Sequence, residues 1–400
     1  MSTAPVLSPL ERSISTRLAL VFALRMFGLF VVLPIFMPYA NSLPIGLFPL
    51  IDVQSDHARA IAAGWAMGAY GLTQAFLYIP YGIASDHWGR KRVIAFGLLI
   101  FAAGALWAAY ADTVFSLACA RAMHGAGAVS SVVVAMVGDT TRPEVRTRAM
   151  AMIGMSIALT FAISLIIAPV LFASIDMHGV FILIATLALL AIALVTSIPL
   201  QQSATAISSS ASLKAVLADA QQWRLNGGVF VLHAVQMAMW VVLPQRLNDL
   251  NMSHSASAWL YFAVILISMG IMVPLIIRAE KHGKMQSVMA LSIALVAVAQ
   301  IGLAVNAGGL IGIAVALLLF FIGFNVLEAT QPSLLSKLTH PATKGAAAGV
   351  YNTVQALGLF AGAAGGAWLN AHFSGYGLFL STAVLSGAWL WMHLSQPTAP

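Results

Sequence analysis

The chain has 400 residues, of which 60% are hydrophobic and 8% are charged, and its formal net charge is +7. Soluble domains carry about 25% charged residues, so a soluble fold is excluded and most of the surface must face the lipid bilayer. The cations lie in separate short loops and form no single patch, which argues against nucleic acid as a partner.

Twelve apolar segments, which we number as spans 1 to 12, follow one another along the chain. Each is long enough for a transmembrane helix, which needs about 20 apolar residues. They predict an all-α membrane protein with twelve transmembrane helices in two pseudo-symmetric six-helix bundles. The spans lie at 17–40, 58–85, 93–111, 114–138, 148–174, 179–199, 225–246, 256–279, 285–306, 308–336, 345–371 and 375–394.

The same segments divide the chain into domains. We predict a tail at 1–16, an amino-terminal bundle at 17–199, a linker at 200–223, a carboxyl-terminal bundle at 224–395 and a tail at 396–400. The first part of the linker is rich in serine, and its second half, 213–223, is a candidate for a short surface helix.

The distribution of Lys and Arg predicts the orientation. Of the 19 such residues, Arg25 and Arg121 lie inside spans, and Arg59 and Arg246 lie in loops on one side of the membrane. The remaining fifteen lie on the side that holds both ends of the chain. Cytoplasmic loops carry an excess of these residues, so both termini are expected in the cytoplasm.

The two halves of the chain are related in sequence. Val-Val-Leu-Pro occurs in span 1 and again in span 7, ending at Pro34 and Pro244. A proline, an acid and a glycine recur with the same spacing at the ends of spans 2 and 8. Such repeats predict two similar bundles with a substrate site between them near the middle of the membrane.

A short polar loop joins spans 2 and 3. It has the sequence Gly82-Ile-Ala-Ser-Asp86-His87-Trp-Gly89-Arg90-Lys91-Arg92. One interpretation is a basic loop that only orients the protein. Its spacing, however, resembles the signature loop of the major facilitator superfamily of secondary transporters, Gly-x-x-x-Asp-Arg-x-Gly-Arg-Arg/Lys, with His87 in place of the first Arg.

The resemblance implies a role for this loop as a conformational latch. Asp86 would meet the start of span 11 near Gly345, while Arg90 would pair with Asp139. A carboxylate beside a helix amino terminus gains about 0.3–1 kcal/mol from the helix dipole. Such a latch would hold the bundles together on the cytoplasmic side. The alternative is that Asp86 and Asp139 are solvated surface acids.

Five ionisable side chains lie well inside spans, and each is expected to face a cavity or a partner. A charged side chain costs at least about 2.5 kcal/mol at the centre of a bilayer. Their spans, 1, 4, 7 and 10, are the ones that line the central cavity in the major facilitator superfamily. The five residues are Arg25, Arg121, His124, His233 and Glu328.

Glu328 is the only carboxylate inside a span, and Asn325 lies one turn earlier on the same face. A carboxyl group shielded from water holds its proton more tightly, so reversible protonation near neutral pH is one hypothesis for Glu328. The alternative is a static partner for Arg25 or another cation. Asn325 is expected to share the hydrogen bonds of Glu328.

The two histidines differ in what the sequence suggests. Arg121 and His124 share one face of span 4, and the run from Arg121 to Gly127 resembles the Arg-x-x-Gln-Gly-x-Gly motif of proton-coupled exporters. His124, which replaces the Gln, either takes part in proton movement or is a neutral hydrogen-bonded side chain. For His233 we favour a structural role.

Nearly the whole chain resembles the YajR-type branch of bacterial drug/proton antiporters. The resemblance includes residues 24–26, 70–74 and 325–328. Only Pro169 matches the Gly-rich stretch that antiporters carry in span 5. The resemblance implies a monomer in the bacterial inner membrane that uses the proton gradient, without a cofactor or metal. It would export small lipophilic or cationic compounds by alternating access.

Two alternatives to export remain at the level of sequence. One is a metabolite symporter or facilitator of the same fold, because the direction of coupling to protons leaves no mark in the sequence. The other is a non-transporting membrane sensor, although the loops are too short to hold a signalling domain. No enzyme motif is present, so an enzyme is not expected.

Overall fold

The computed structural model describes residues 6–49, 57–127, 129–142, 144–199, 210–305, 309–340 and 343–395. Residues 1–5 and 396–400 of the predicted tails and residues 200–209 of the predicted linker lie outside this part of the chain. The described residues form thirteen α-helices and no strands.

The helices follow the predicted spans closely. Spans 1 and 4 each consist of two helices, while α7 contains spans 5 and 6 and α13 contains spans 11 and 12. The helices are α1 Pro9–Phe30, α2 Phe36–Ser42, α3 Ala58–Trp88, α4 Arg90–Ala109, α5 Val114–Gly125, α6 Ser130–Thr140, α7 Arg146–Thr196, α8 Ser210–Ala218, α9 Ala220–Asp249, α10 His254–Lys281, α11 Met285–Val305, α12 Gly309–Leu338 and α13 Lys344–Leu394. The prediction of twelve spans in an all-α protein is confirmed.

Two of these helices are double-length runs with a sharp turn at one residue. Asp176 interrupts α7 with φ 48° and ψ −171°, and Ser374 interrupts α13 with φ 59° and ψ 179°. Each side chain accepts hydrogen bonds from the backbone that follows: Asp176 from the amides of His178 and Gly179, and Ser374 from that of Tyr376. Both residues therefore act as amino-terminal caps for the next span.

The first helix begins ahead of the predicted span 1, and a break divides the span into α1 and α2. The Ser8 hydroxyl accepts from the backbone of Glu11, and the Glu11 carboxylate accepts from the backbone of Ser8, so a capping box starts α1 at Pro9. The helix ends at Phe30, and a turn over residues 31–35 precedes α2. Pro34 explains the break, because its ring lacks an N–H group and clashes with the preceding turn.

Glu11 also joins the first helix to the loop between spans 4 and 5. Its carboxylate accepts from the backbone amide of Arg142 at 3.0 Å and from Nε of the Arg142 side chain at 2.9 Å. These bonds from Arg142, with those from Ser8, hold the pKa of Glu11 well below its usual range. The same pairing raises the pKa of Arg142.

Span 4 is broken between α5 and α6, where the sequence predicts one helix. Glycines at this break allow neighbouring backbones to approach closely. A Cβ added at Gly125 would overlap the carbonyl oxygen of Tyr70, and one added at Gly127 would lie 2.6 Å from the carbonyl oxygen of Gly97. Spans 2 and 3 therefore press directly against the glycines of span 4.

The linker region that the structure describes contains α8, which overlaps the candidate surface helix but lies earlier in the chain. Asp219 then ends the linker, because its carboxylate accepts from the backbone amides of Gln221 and Gln222 and caps α9. Span 7 therefore begins at Ala220, five residues before the predicted start at residue 225.

The internal repeat is visible in the turns after spans 2 and 8. Gly89 has φ 88° and Gly283 has φ 65°, a conformation that glycine adopts without strain. We call the end of the bundles that holds Glu11 and Gly89 the basic face. The end that holds Asp176 and Ser374 is the distal face.

Spans 2 and 11 bring the two bundles together toward the distal face. A Cβ added at Gly64 would overlap Cβ of Ala367, and one added at Gly71 would lie 2.7 Å from the carbonyl oxygen of Ala356. Only glycine allows so close an approach of the two helices.

Toward the basic face the same two helices separate. A Cβ added at Gly349 would lie 3.9 Å from Ile79. One added at Gly82 or Gly345 would have no atom of the described chain within 4 Å. Along this contact the bundles are therefore closed at the distal face and apart at the basic face.

Candidate functional site

The loop between spans 2 and 3 is organised around Arg90. Its Nη1 lies 2.6 Å from Oδ1 of Asp86 and also donates to the hydroxyl of Ser85. Its Nε donates to Oδ2 of Asp139 at 3.0 Å. Arg90 therefore joins the ends of spans 2 and 4, and the pairing with Asp139 is the one that the family resemblance implies.

In the described part of the chain, the ion pair of Asp86 is with Arg90 in its own loop. The start of span 11, where the sequence analysis placed its partner, is separated from span 2 near Gly82 and Gly345. His87 lies on the surface of the loop. The structure therefore has the loop in place with the bundles apart beside it, and the latch stays a prediction.

Lys91 ties the same loop to the end of span 6. Its Nζ donates to the carbonyl oxygens of Thr196 at 3.0 Å and Ile198 at 2.6 Å. Arg17 donates to the carbonyl oxygen of Ser197 at 2.8 Å beside it. These carbonyls have no partners within their own helix, and the two cations also complement the negative end of the helix dipole.

Arg25 lies buried inside the amino-terminal bundle. Its guanidinium donates to the hydroxyl of Tyr70 at 3.1 Å, to the hydroxyl of Ser130 and to the carbonyl oxygen of Gly127 at 3.4 Å. The carbonyl oxygen of Gly127, at the break in span 4, also accepts from the backbone amide of Val129 at 2.8 Å. Arg25 thus holds spans 1, 2 and 4 together through uncharged acceptors.

Arg121 and His124 form a second buried pair next to the first. Nη1 of Arg121 lies 3.1 Å from Nδ1 of His124, and the guanidinium stacks over the ring of Tyr70 at 4.7 Å. Arginine only donates, so Nδ1 of His124 accepts and the imidazole is neutral with its proton on Nε2. Nε of Arg121 and Nε2 of His124 have no hydrogen-bond partner in the described chain.

These three predicted site residues face the interior of the amino-terminal bundle. Arg25 and His124 both contact Phe101 of span 3, with 5.8 Å from the guanidinium to the ring centroid and 3.9 Å between the ring centroids. Among the described residues, neither Arg25 nor Arg121 forms an ion pair. Two buried positive charges thus lie in one bundle without an acid beside them.

The carboxyl-terminal bundle holds the complementary pair, Glu328 and His233. Oε2 of Glu328 lies 3.4 Å from Nε2 of His233. The Glu328 side chain is 34% exposed while that of His233 is buried. The basic side chain beside Glu328 is therefore a histidine of span 7, where the sequence analysis suggested Arg25 or another cation as its partner.

The imidazole of His233 is fixed by two further contacts. Nδ1 lies 2.9 Å from the carbonyl oxygen of Val229, and Nε2 lies 2.7 Å from the amide nitrogen of Gln355. A carbonyl only accepts and an amide nitrogen only donates, so His233 is neutral with its proton on Nδ1. Its Nε2 is therefore already occupied, and Oε2 of Glu328 has no hydrogen-bond partner in the described chain.

Asn325 is directed toward span 8. Its amide nitrogen donates to the hydroxyl of Ser268 at 3.0 Å. The structure therefore gives Asn325 a bond between spans 8 and 10, where the sequence analysis expected it to share the bonds of Glu328. Phe324, on the adjacent position of span 10, lies 6.0 Å from the ring of His233 and 5.9 Å from Phe161 of span 5.

The model of the Major Facilitator Superfamily matches residues 18–363 and 225–400, which together cover nearly the whole chain. The chain belongs to the major facilitator superfamily. Members of this superfamily are transporters, so the protein is a multi-pass membrane transporter and not an enzyme.

Two relatives are similar over most of this transporter's length. The inner membrane transport protein YajR of Escherichia coli is 38% identical over 98% of this chain and 85% of its own. The multidrug resistance protein MdtH of Aeromonas salmonicida is 27% identical over 90% of this chain and 88% of its own.

Solved structures support the same facilitator fold. A partially occluded, inward-open structure of the xylose transporter XylE from E. coli superposes with a TM-score of 0.74 at 14% identity, covering 98% of this chain and all of that one. The human organic anion transporter MFSD10 gives a TM-score of 0.67 at 18% identity over 96% of this chain and all of that one.

The sequence analysis missed three residues that bind the predicted polar side chains inside the bundles. Tyr70 and Ser130 bind Arg25, and Gln355 binds His233. Gln355 had a usable signal, since an amide inside an apolar span needs a hydrogen-bond partner. Tyr70 and Ser130 had none, because such residues are ordinary in membrane helices.

Proposed function

We propose that the protein is a proton-coupled antiporter that exports small lipophilic or cationic compounds by alternating access. The proton gradient drives it, and neither a cofactor nor a metal takes part. The observation that carries the proposal is the pair of Glu328 and His233, 3.4 Å apart between spans 7 and 10. Glu328 is partly exposed there, so that protons and substrate can both reach its carboxyl group.

A single carboxyl group is sufficient for exchange. When Glu328 is protonated, it is neutral and attracts no cation. When it is ionised, it needs a positive partner in a region of low dielectric constant, and a cationic substrate can supply one. Proton and substrate therefore displace each other, which is the minimal requirement for antiport.

The distribution of charge favours a cation or a neutral lipophilic compound over an anion. Arg25 and Arg121 are buried within the amino-terminal bundle, whereas Glu328 is exposed by one third. A substrate therefore meets a carboxyl group before it meets either guanidinium.

The name of one relative is in keeping with export, and that of the other with transport across the inner membrane. MdtH is named a multidrug resistance protein and YajR an inner membrane transport protein. We extend both to this chain as a proposal, with the protein as a monomer in the bacterial inner membrane and both termini in the cytoplasm. In that orientation the basic face is cytoplasmic, and the contact between spans 2 and 11 is closed toward the periplasm.

The decisive experiment replaces Glu328 in purified protein reconstituted in liposomes. Glu328→Gln retains the size of the protonated carboxyl group but cannot release a proton. We expect it to lose substrate accumulation driven by a pH gradient and substrate-induced proton flux, while it retains substrate binding. Glu144→Gln, at an exposed acid outside the spans, is the matched control and is expected to behave like the parent.

The substrate panel should include lipophilic cations, neutral lipophilic compounds and sugars. A symporter would move protons in the same direction as its substrate, which the sign of the proton flux reveals. Uphill transport by Glu328→Gln at the parental rate would exclude Glu328 as the coupling residue. Coupling would then have to involve Arg121 and His124.

A further inference from the structure

We infer that Gln355 is a positioning residue that keeps His233 neutral beside Glu328, so that the exchanged proton resides on the carboxyl group. The inference rests on the proposed function of Glu328. It concerns span 11, to which the sequence analysis assigned only a part in the latch. The amide of Gln355 lies at the point where spans 7, 10 and 11 meet.

The hydrogen bonds around His233 determine which of its nitrogens carries the proton. Nδ1 donates to the carbonyl oxygen of Val229 at 2.9 Å, and Nε2 accepts from the amide of Gln355 at 2.7 Å. A proton on Nε2 would put two donors in contact, so protonation requires Gln355 to turn its amide or withdraw. The glutamine therefore opposes formation of the imidazolium ion.

The backbone holds Gln355 in this position. A Cβ added at Gly358 would lie 2.6 Å from the carbonyl oxygen of Phe230, and one added at Gly362 would overlap the carbonyl oxygen of Ala234. Spans 7 and 11 are thus in backbone contact directly after Gln355. The register of the two helices is therefore fixed, which keeps Gln355 beside His233.

Glu328 and Tyr351 are the other titratable side chains at this point. Oε2 of Glu328 lies 3.4 Å from Nε2 of His233. Tyr351, one turn before Gln355, is buried and its hydroxyl lies 3.4 Å from Oε1 of Gln331. The described residues place no other charged group in contact with the imidazole.

Without Gln355, His233 and Glu328 would form an ion pair. Nε2 of His233 would be free to bind a proton and donate it to Oε2 of Glu328. The paired carboxylate would then be harder to protonate, and a proton arriving from the periplasm would compete with the imidazolium. Gln355 prevents this pairing and keeps Glu328 able to bind and release its proton.

The test combines histidine spectroscopy with transport. Protein labelled with ¹⁵N-histidine is studied by NMR, and the signals of His233 are assigned from their loss in His233→Gln. In the parent we expect a neutral imidazole with its proton on Nδ1. In Gln355→Met we expect the imidazolium over a wider pH range, with the midpoint of proton-driven transport moved to lower pH by about one unit or more.

Two further variants make the result specific. Gln355→Glu offers His233 an acceptor of the same size, so the imidazolium is expected there even if the methionine variant is unstable. Gln331→Leu removes a buried amide of span 10 that the structure bonds to Tyr351, and it is expected to leave the His233 signals unchanged. Folding of each variant is checked by gel filtration and thermal melting.

The outcomes separate this inference from the proposed function. If the His233 signals and the pH midpoint of both Gln355 variants match the parent, Gln355 does not position the proton, whatever Glu328 does. If the signals change as expected while Glu328→Gln still transports uphill, Gln355 positions His233 and the coupling role of Glu328 fails.

Discussion

Nε2 of His233 faces Oε2 of Glu328 at 3.4 Å and yet does not donate to it. The proton of the imidazole is on the other nitrogen, where it binds Val229 within the same helix. An acid and a base therefore lie side by side without forming an ion pair. A carboxylate in this position has no fixed counter-ion, and its charge can be balanced by a proton or by a substrate.

The orientation of the protein can be tested with single cysteines. Cys119 is the only native cysteine, so Cys119→Ala provides the background for labelling. We expect a membrane-impermeant thiol reagent to label Asp56→Cys in intact cells and Ser203→Cys only after the membrane is opened. The reason is the excess of cations in the loops on the side of Ser203. Labelling of both positions in intact cells would contradict this topology.

A substitution in the loop between spans 2 and 3 is expected to reduce transport without affecting folding. Asp86→Asn removes the charge 2.6 Å from Arg90 but leaves Arg90 bound to Asp139. We expect insertion and melting temperature to be unchanged and transport to fall roughly tenfold, which corresponds to a coupling of about 1.4 kcal/mol. Asp112→Asn, an exposed acid in the next loop, serves as the control. Parental transport by Asp86→Asn would reduce the loop to a topological signal.

His87 gives the same loop a titratable charge where the family usually has a permanent one. His87→Arg makes that charge independent of pH. We expect the maximal transport rate to change little and the pH dependence of transport to become flatter. The measurement is the transport rate at a fixed proton gradient over a series of pH values, with His282→Arg in the corresponding turn after span 8 as the comparison. Parallel pH profiles for parent and variant would show that His87 plays no part.

The contact between Glu11 and Arg142 makes stability depend on pH. Because the folded pKa of Glu11 lies below its ordinary value of about 4.5, its contribution is present above that pH and declines as the pH falls below it. Glu11→Gln keeps the capping acceptor but loses the charge. We expect the variant to melt several degrees lower than the parent at pH 6–8, with a difference that narrows toward pH 3. Glu280→Gln is the control, and a difference that is constant with pH would contradict the assignment.

Gly64 is predicted to control closure at the distal face. Gly64→Ala places a methyl group against Ala367, so the two bundles cannot close fully there. In the Cys119→Ala background, a cysteine introduced at Phe360, whose ring packs on Trp65 and Gly68, should become more reactive toward reagents added from that side. A Cβ added at Gly154 would have no atom of the described chain within 4 Å, so Gly154→Ala should have no effect. Equal labelling in both variants would show that this contact does not gate the distal face.

The number of spans, the repeat and the position of the turns could be predicted from sequence. A membrane helix needs a long apolar run, so each span can be recognised from its own segment of the sequence. Gly89 and Gly283 adopt positive φ in corresponding turns, as the repeated spacing indicated. The breaks within spans 1 and 4 were harder to predict. That at Pro34 has a local cause, while that after Gly125 lies where a backbone oxygen from span 2 presses against span 4.

The partners of the buried polar residues were decided by tertiary structure. The sequence singled out Glu328 as the carboxylate inside a span, but only the structure shows that His233 of span 7 lies beside it and that Gln355 of span 11 binds His233. It also marked Arg25 and Arg121, which turn into the amino-terminal bundle toward Tyr70. In a helix of a soluble protein, the apolar face of the sequence shows which side points inward. In a membrane both the lipid and the bundle interior are apolar, so the rotation of each helix is fixed only by packing against its neighbours.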